Sequence, residues 1–207
     1  MDKTYHFSAP GRTEISGNHT DLQHGCVLAA AVDMETTAEV TLNGTNVIRV
    51  DSEGYKPVEI ELSDLKIRED EKNTTAALIR GVAAAFAARG YKLAGFDAKV
   101  KSTVLPGSGL SSSAAFEVLI GRILNGLFAN NKVSGIEIAQ IGQYAENVYF
   151  GKPSGLMDQM ASSVGGLVFI DFAEPKRPTV EKVDYDFAHC GYTLCIINSG
   201  ADHADLT

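Results

Sequence analysis

Over residues 36–62 apolar and polar residues alternate, with Ala38, Val40 and Leu42 before Asn43-Gly44 and Val47 and Val50 after it. A period of two broken by an Asn-Gly pair predicts two strands joined as a β-hairpin. The period then lengthens. Residues 74–89 are apolar at helical spacing and stop at Gly90, which predicts a helix, and Phe96 to Val104 predicts a strand. Phe116, Ile120, Ile123, Leu124 and Leu127 share one face of a further helix that begins near Ser111. Another helix is predicted over about 135–150, followed by a turn punctuated by Gly151, Pro153 and Gly155. A short helical piece from Asp158 and strands at Leu167–Phe172 and Tyr192–Asn198 complete the pattern. Hairpins mixed with clustered helices argue for an α+β fold rather than a doubly wound parallel sheet.

At 207 residues and 44% apolar, the chain can bury one sizeable core and is expected to form one domain. Eighteen basic residues against 26 acidic ones leave a net charge of −8, which lacks the footprint of a nucleic-acid or anionic-membrane binder. Cys26, Cys190 and Cys195 have neither metal-ligand nor Cys-x-x-Cys spacing, so they are expected to be reduced thiols packed in the core of a cytoplasmic protein. The opening residues carry no apolar signal core, and the Ala-rich stretch 76–88 is too short for a membrane span and contains Arg80. The last residues, Ala201 to Thr207, have no helix stop signal or polar tail and read as a cut inside a longer protein.

Three polar clusters and one loop carry candidate chemistry. The loop is Pro-Gly-Ser-Gly-Leu-Ser-Ser-Ser-Ala at residues 106–114, set between a strand and a helix. Gly107 and Gly109 permit backbone angles that turn successive N–H groups toward one point, and the helix that follows adds its free amides and positive dipole end. Such a cradle holds an anion with no cationic side chain. A Walker loop would end in Gly-Lys-Ser/Thr, whereas this one ends in Ser111, Ser112 and Ser113, so the chain is not a P-loop NTPase. The alternative is a flexible Gly/Ser connection capped by serine.

The first cluster runs from Gly11-Arg12 to Gly17-Asn18-His19-Thr20-Asp21 and suits hydrogen bonding to a polyhydroxylated ligand, or is a polar surface turn. The second is Glu146, which shares a helical stripe with Ala139, Gly142 and Phe150 and so faces inward. It needs either a magnesium ion shared with a serine hydroxyl of the loop or a buried salt bridge. The third is Gly155-Leu156-Met157-Asp158-Gln159, where Asp158 is either a helix N-cap or a carboxylate placed to take a proton from a sugar hydroxyl while Arg12 offsets developing charge.

In this order and spacing the clusters resemble the GHMP kinase superfamily and, within it, the galactokinase family. Ala9 to Asp21 resembles that family's N-terminal signature, Pro106 to Ala114 the superfamily's second motif, and Ala145-Glu146-Asn147 with Gly155 to Met160 the stretch bearing a magnesium glutamate and a catalytic aspartate twelve residues later. The resemblance implies the α+β fold of the GHMP kinase N-terminal domain, which is shared with the second domain of a small-subunit ribosomal protein: a mixed sheet with hairpins and clustered helices. Over residues 1–207 it implies that one domain only, with the C-terminal partner domain absent and an exposed interdomain face through which the fragment self-associates.

The resemblance also implies ATP-dependent phosphorylation of D-galactose at the anomeric hydroxyl, with Mg²⁺. Asp158 and Arg12 would be catalytic, and Ser113 and Glu146 would be metal ligands. Gly107, Ser108, Gly109, Leu110, Ser111, Ser112 and Ser113 would hold the triphosphate. Asn18, His19, Thr20, Asp21 and Gly155 would hold the sugar. Asn18 stands where the signature has glutamate, and Leu22 where tyrosine is common, so one carboxylate contact to the sugar becomes an amide contact. Kinases for a related sugar such as N-acetylgalactosamine, and a regulatory sensor that binds galactose and ATP, are the alternatives.

Overall fold

The computed structural model describes residues 3–197. Seven strands form one mixed sheet: β1 (Thr4–Ser16), β2 (Cys26–Leu42), β3 (Val47–Ser52), β4 (Val58–Glu61), β5 (Phe96–Ser102), β6 (Leu167–Asp171) and β7 (Thr179–Val183). The helices are α1 (Thr75–Ala88), α2 (Ser112–Phe128), α3 (Gly135–Tyr144) and α4 (Met157–Val164). The long β2 is the spine. One of its edges pairs antiparallel with β1, and the other pairs with β5 over residues 36–42 and with β6 over residues 26–30. Between those two stretches, Glu35 O accepts a 2.9 Å hydrogen bond from Thr103 N–H as the chain leaves β5, and Ala31 N–H donates to Gly166 O at 2.9 Å as it enters β6. Arg12 of β1 pairs with Ala31 at this gap in the sheet.

Both strands around Asn43-Gly44 form, but the hairpin expected there does not. β5 lies between β2 and β3, antiparallel to the first and parallel to the second. The turn wraps the start of β5 instead: the Asn43 amide donates to Val47 O at 3.0 Å and to Asp97 Oδ1 at 2.7 Å, and Gly95 N–H donates to Thr45 O at 2.8 Å. Gly95 makes this possible, because a Cβ there would stand 2.5 Å from both Asn43 Oδ1 and Val47 O. The antiparallel hairpin is β3–β4, with Ile48 opposite Ile60.

The main core packs Val40, Ile48, Val50, Ile60, Phe96 and Val100 of the sheet against Ile79, Val82 and Phe86 of α1 and Val118, Leu119, Ile120, Ile123 and Leu124 of α2. Each large aliphatic side chain buried here stabilises the fold by roughly 1.5–3 kcal/mol. A second core seats Leu156, Met157, Met160 and Ala161 on Val27 and Ala29 of β2 and Val168 and Ile170 of β6. The two methionines thus fix the rotation of α4 about its axis.

Helix starts follow their capping chemistry: the Thr74 hydroxyl accepts from Ala77 N–H before α1, and Ser134 and Glu137 form a reciprocal capping box at α3. The helix expected over 135–150 is regular only to Tyr144. It continues as a π-helical turn over Ala145–Phe150 that ends at Gly151 with φ 88°. The strand expected at Tyr192–Asn198 is absent over 192–197, and Asn198 lies outside the described residues, as does the terminal stretch 201–207. β6 already has both edges filled, by β2 and by the unpredicted β7, while Tyr192, Leu194 and Ile197 stay exposed. The cysteines are not core residues either: Cys26 and Cys195 are exposed and Cys190 is half-buried. Cys26 falls on the outward phase of β2, next to buried Val27.

Candidate active site

The site is built where β1 changes register. A bulge between Pro10 and Arg12 re-aims the strand, and Arg12 N–H donates to Leu110 O at 3.1 Å. Gly11 permits the approach, since a Cβ there would lie 3.0 Å from the same oxygen. The Arg12 guanidinium donates from Nε to Asp158 Oδ1 at 2.7 Å, from Nη2 to Asp158 Oδ2 at 2.8 Å and from Nη1 to Gly109 O at 2.7 Å. One buried side chain thereby locks the glycine-serine loop to α4.

Asp158 also accepts from the Ser111 hydroxyl. It does not cap α4, whose N-cap position is Leu156. Because Met157 and Met160 face the core, Asp158 turns toward Arg12, with its side chain 32% exposed and reachable by a ligand. Burial pushes the Asp158 carboxyl up, but the Arg12 guanidinium and the Ser111 hydroxyl outweigh it and hold the group below its ordinary value. It is a carboxylate at neutral pH.

The loop has the left-handed backbone its glycines allow, with φ 72° at Gly107 and 76° at Gly109. Ser111 takes φ 57°, an angle that disfavours a non-glycine residue by roughly 1–2 kcal/mol. Its hydroxyl makes no cap bond to α2, so it leaves the amides of the first turn open to a ligand. Leu110 is buried against Val104 and Ala115 and anchors the loop from beneath. A cavity of about 380 Å³ runs beside it, walled by Ser52, Tyr55, Asn73, Phe116 and Phe150 and by the loop serines Ser112 and Ser113. That volume is in the range of small-molecule sites. Sequence reasoning missed its far wall, because Ser52, Tyr55 and Asn73 come from unrelated segments with no motif of their own.

Glu146 faces inward as its helical stripe implied, and is 4% exposed. Its Oε1 lies 3.5 Å from Ser113 Oγ, and its Oε2 accepts from Gln159 Nε2 at 2.8 Å. Among the described residues no Lys or Arg pairs with it, so the buried salt bridge is not formed. Gln159 Nε2 also donates to Glu117 Oε2 at 3.0 Å. Glu117 is fully buried; that burial, and then the Glu146 charge, push its carboxyl well above the ordinary range. Sequence assigns neither Glu117 nor Gln159 a role: Gln159 stands inside the Gly155–Met160 motif, whereas Glu117 lies on α2 beyond the end of the loop motif at Ala114.

The N-terminal cluster divides in two. Asn18 and His19 are exposed on a left-handed turn, with φ 56° and 53°, and Glu14 holds His19 by accepting from its backbone N–H at 3.0 Å. Thr20 Oγ1 donates to Cys26 O at 3.1 Å and closes the turn. Asp21 reaches across to α4, where its Oδ2 accepts from Met157 N–H at 3.2 Å. A Cβ on Gly155 would collide with that carboxylate. The structure thus brings Asp21, Gly155, Asp158, Arg12 and the loop together, and leaves Asn18 and His19 on an adjoining turn. Among the described residues no group of three or more His, Cys, Asp or Glu is arranged to hold a metal, and no helix is long and apolar enough to cross a membrane.

Residues 77–166 match the model of the GHMP kinases N terminal domain, and residues 2–42 match the galactokinase galactose-binding signature. The galactokinase of Streptomyces coelicolor is 34% identical over 203 residues, which cover 96% of this chain and 51% of that protein. The galactokinase of Lactococcus lactis subsp. cremoris is 34% identical over 167 residues, or 79% of this chain and 41% of that protein. The chain therefore spans about half the length of the curated relatives it matches. The crystal structure of Lactococcus lactis galactokinase complexed with galactose superposes with a TM-score of 0.78 at 28% identity, over 88% of this chain and 48% of that one. Methanococcus jannaschii mevalonate kinase shares the fold, with a TM-score of 0.70 at 17% identity over 90% of this chain and 57% of that one.

The domain is of the GHMP kinase N-terminal class. Within that class, the chain belongs to the galactokinase family as its N-terminal domain.

Proposed function

We propose that residues 1–207 supply the sugar site and the phosphate loop of an ATP-dependent galactose kinase, whose complete nucleotide site requires the C-terminal half that its relatives possess. The observation that carries this is the Arg12–Asp158 ion pair, which is tied to the loop through Gly109 O and stands beside the Asp21–Gly155 contact. The triphosphate of ATP would rest on the amides of residues 107–113, with its nucleoside in the adjoining cavity. Asp21, the Gly155 backbone, Asn18, His19 and Thr20 would receive the sugar hydroxyls.

Asp158, ionised, accepts the hydrogen of the anomeric hydroxyl as that oxygen bonds to the γ-phosphorus. The bond from phosphorus to the β-bridging oxygen breaks, and ADP leaves. Arg12, held rigid by three hydrogen bonds, offsets the charge that spreads over the transferring phosphoryl group. Ser113 and Glu146 fit a magnesium ion: they offer two hard oxygens, one a buried carboxylate without a cationic partner, and Mg²⁺ commonly takes one or two protein ligands plus phosphates. Bound there, the ion would neutralise triphosphate charge. A cytoplasmic location fits this reading.

Asn18 supports a second arm within the same class, a related sugar, because its amide replaces a carboxylate on the exposed sugar-side turn. The test is ADP release with MgATP across galactose, N-acetylgalactosamine, arabinose, glucose and mevalonate. It uses this domain joined to a C-terminal half like that of its relatives. Turnover confined to galactose supports the reading, and turnover confined to another sugar moves the specificity. A folded protein that binds galactose and ATP without turnover is a sensor instead.

A further inference from the structure

Glu117, Gln159 and Glu146 form a buried chain of polar side chains, each at most 4% exposed, drawn from α2, α4 and the π-helical turn. A primary amide has two N–H bonds. Gln159 gives one to Glu117 Oε2 at 3.0 Å and the other to Glu146 Oε2 at 2.8 Å, so two acceptors fix the plane of its amide. Gly142 of α3 makes room for this, since a Cβ there would lie 3.1 Å from Glu117 Oε2 and 3.2 Å from Gln159 Cγ. The arrangement leaves Glu117 Oε1 and Gln159 Oε1 buried without partners. A core selected for stability alone is served as well by apolar side chains of the same volume. What the trio does achieve is orientation: with Oε2 of Glu146 occupied by Gln159, Oε1 is the oxygen that faces Ser113 Oγ.

We propose that Gln159, its amide plane set by Glu117, is a positioning residue that aims the Glu146 carboxylate at Ser113 and so sets the affinity for the divalent cation. This rests on the assignment of Ser113 and Glu146 to magnesium. Partners that orient a metal's ligands change metal affinity by about 10–100-fold when removed.

The test titrates Mn²⁺ with ATP into this domain joined to a C-terminal half like that of its relatives, reads free Mn²⁺ by electron paramagnetic resonance, and subtracts the Mn²⁺ held by the same ATP without protein. ATP affinity in chelator and the circular dichroism spectrum are measured alongside. Gln159→Met, which keeps length and loses both donors, is expected to weaken Mn²⁺ binding about 10-fold or more with metal-free ATP affinity unchanged. Glu117→Met is expected to act in the same direction, while Glu117→Gln, which keeps an acceptor for the amide, restores the unmodified affinity. Glu146→Gln is expected to lose at least as much as Gln159→Met, and the double variant no more than Glu146→Gln alone. If Gln159→Met does not fold, the two Glu117 variants decide. Unchanged Mn²⁺ affinity in Gln159→Met, with a loss in Glu146→Gln, overturns the positioning role and leaves the magnesium assignment standing. No effect of Glu146→Gln, or no Mn²⁺ held by the unmodified chain with ATP, overturns the assignment and the positioning role together.

Discussion

Arg12 and Asp158, 146 residues apart in sequence, meet in a two-pronged ion pair of 2.7 and 2.8 Å. The third guanidinium bond, to Gly109 O, makes the same arginine a structural tie of the loop. The two residues should therefore separate chemistry from binding differently. Asp158→Asn keeps the shape of the side chain and removes its charge. In a full-length protein it is expected to lower turnover by about 10²–10⁴-fold, the range for a lost proton acceptor, while ATP affinity holds. Arg12→Met, which also releases Gly109 O, is expected to lower both. Steady-state kinetics with isothermal titration of ATP checks the split, and equal losses of affinity in the two variants would count against it.

Gly155 is a glycine for want of space. Its backbone is not left-handed, yet any Cβ would run into the Asp21 carboxylate. Gly155→Ala is expected to push Asp21 off Met157 N–H and weaken sugar binding about tenfold, the equivalent of one 1.4 kcal/mol contact. Thermal stability should hardly move, because α4 stays seated by Leu156, Met157 and Met160. Galactose titration into the variant measures this, and undiminished affinity would remove Asp21 from the sugar site.

The local parts of this fold were legible because their signals are local. The loop glycines, the 3.6-residue period of α2 and the inward stripe of Glu146 each follow from neighbouring residues. The Asn43-Gly44 hairpin misled because turn chemistry says that the chain reverses, not which strand fills the place beside it. Gly95, fifty residues on, decides that. The site was legible as three motifs, with Arg12 set beside Asp158 and Glu146 beside a loop serine, but not through the side chains that link them. Its linking side chains, Glu117, Gln159 and Glu14, act through contacts made only once distant elements dock, and a glutamate on an apolar helix face reads from sequence as an interruption. Cys26 shows the reverse error: an apolar-type residue read as core sits on the outward phase of a strand whose next residue is buried.

Arg80 holds the wall of the cavity. It is 2% exposed, donates from Nε and Nη2 to the two Glu71 oxygens, each at 2.6 Å, and caps Asp64 O. Tyr149 OH adds a 2.8 Å bond to Leu65 O, so the strap over residues 64–73 is closed onto α1 and the π-helical turn, and Asn73 is delivered to the cavity. Arg80→Met leaves Glu71, whose side chain is 15% exposed, with only the looser Arg68 Nη1 at 3.7 Å as an ion-pair partner among the described residues. The loss of one partner of such a pair is expected to destabilise the fold by about 3–5 kcal/mol. Urea denaturation measures this. A compensating Glu71→Met change in the same chain is expected to recover most of the loss, since the poorly paired Glu71 charge and not the missing contact is the larger part of it.

Glu117 gives stability a pH dependence of its own sign. Burial and the Glu146 charge raise its carboxyl above the ordinary value of 4.5, so just above that pH the native state keeps a proton that the unfolded chain has released. The stability linked to Glu117 is complete below that ordinary value and is lost as pH rises toward the folded value. Asp158 behaves oppositely. Its lowered carboxyl contributes fully above the ordinary value of 3.8 and loses its contribution as pH falls through the folded value, so between pH 5 and 8 it is constant. Glu117→Gln removes the raised group and keeps an acceptor for Gln159 Nε2. The difference in unfolding free energy between this variant and the unmodified chain should therefore move in the variant's favour as pH rises above the ordinary value of 4.5, while histidines and other groups cancel in the comparison. Urea titrations of both proteins at pH 5, 6.5 and 8 measure the shift, and parallel pH profiles would mean that Glu117 is ionised in the fold.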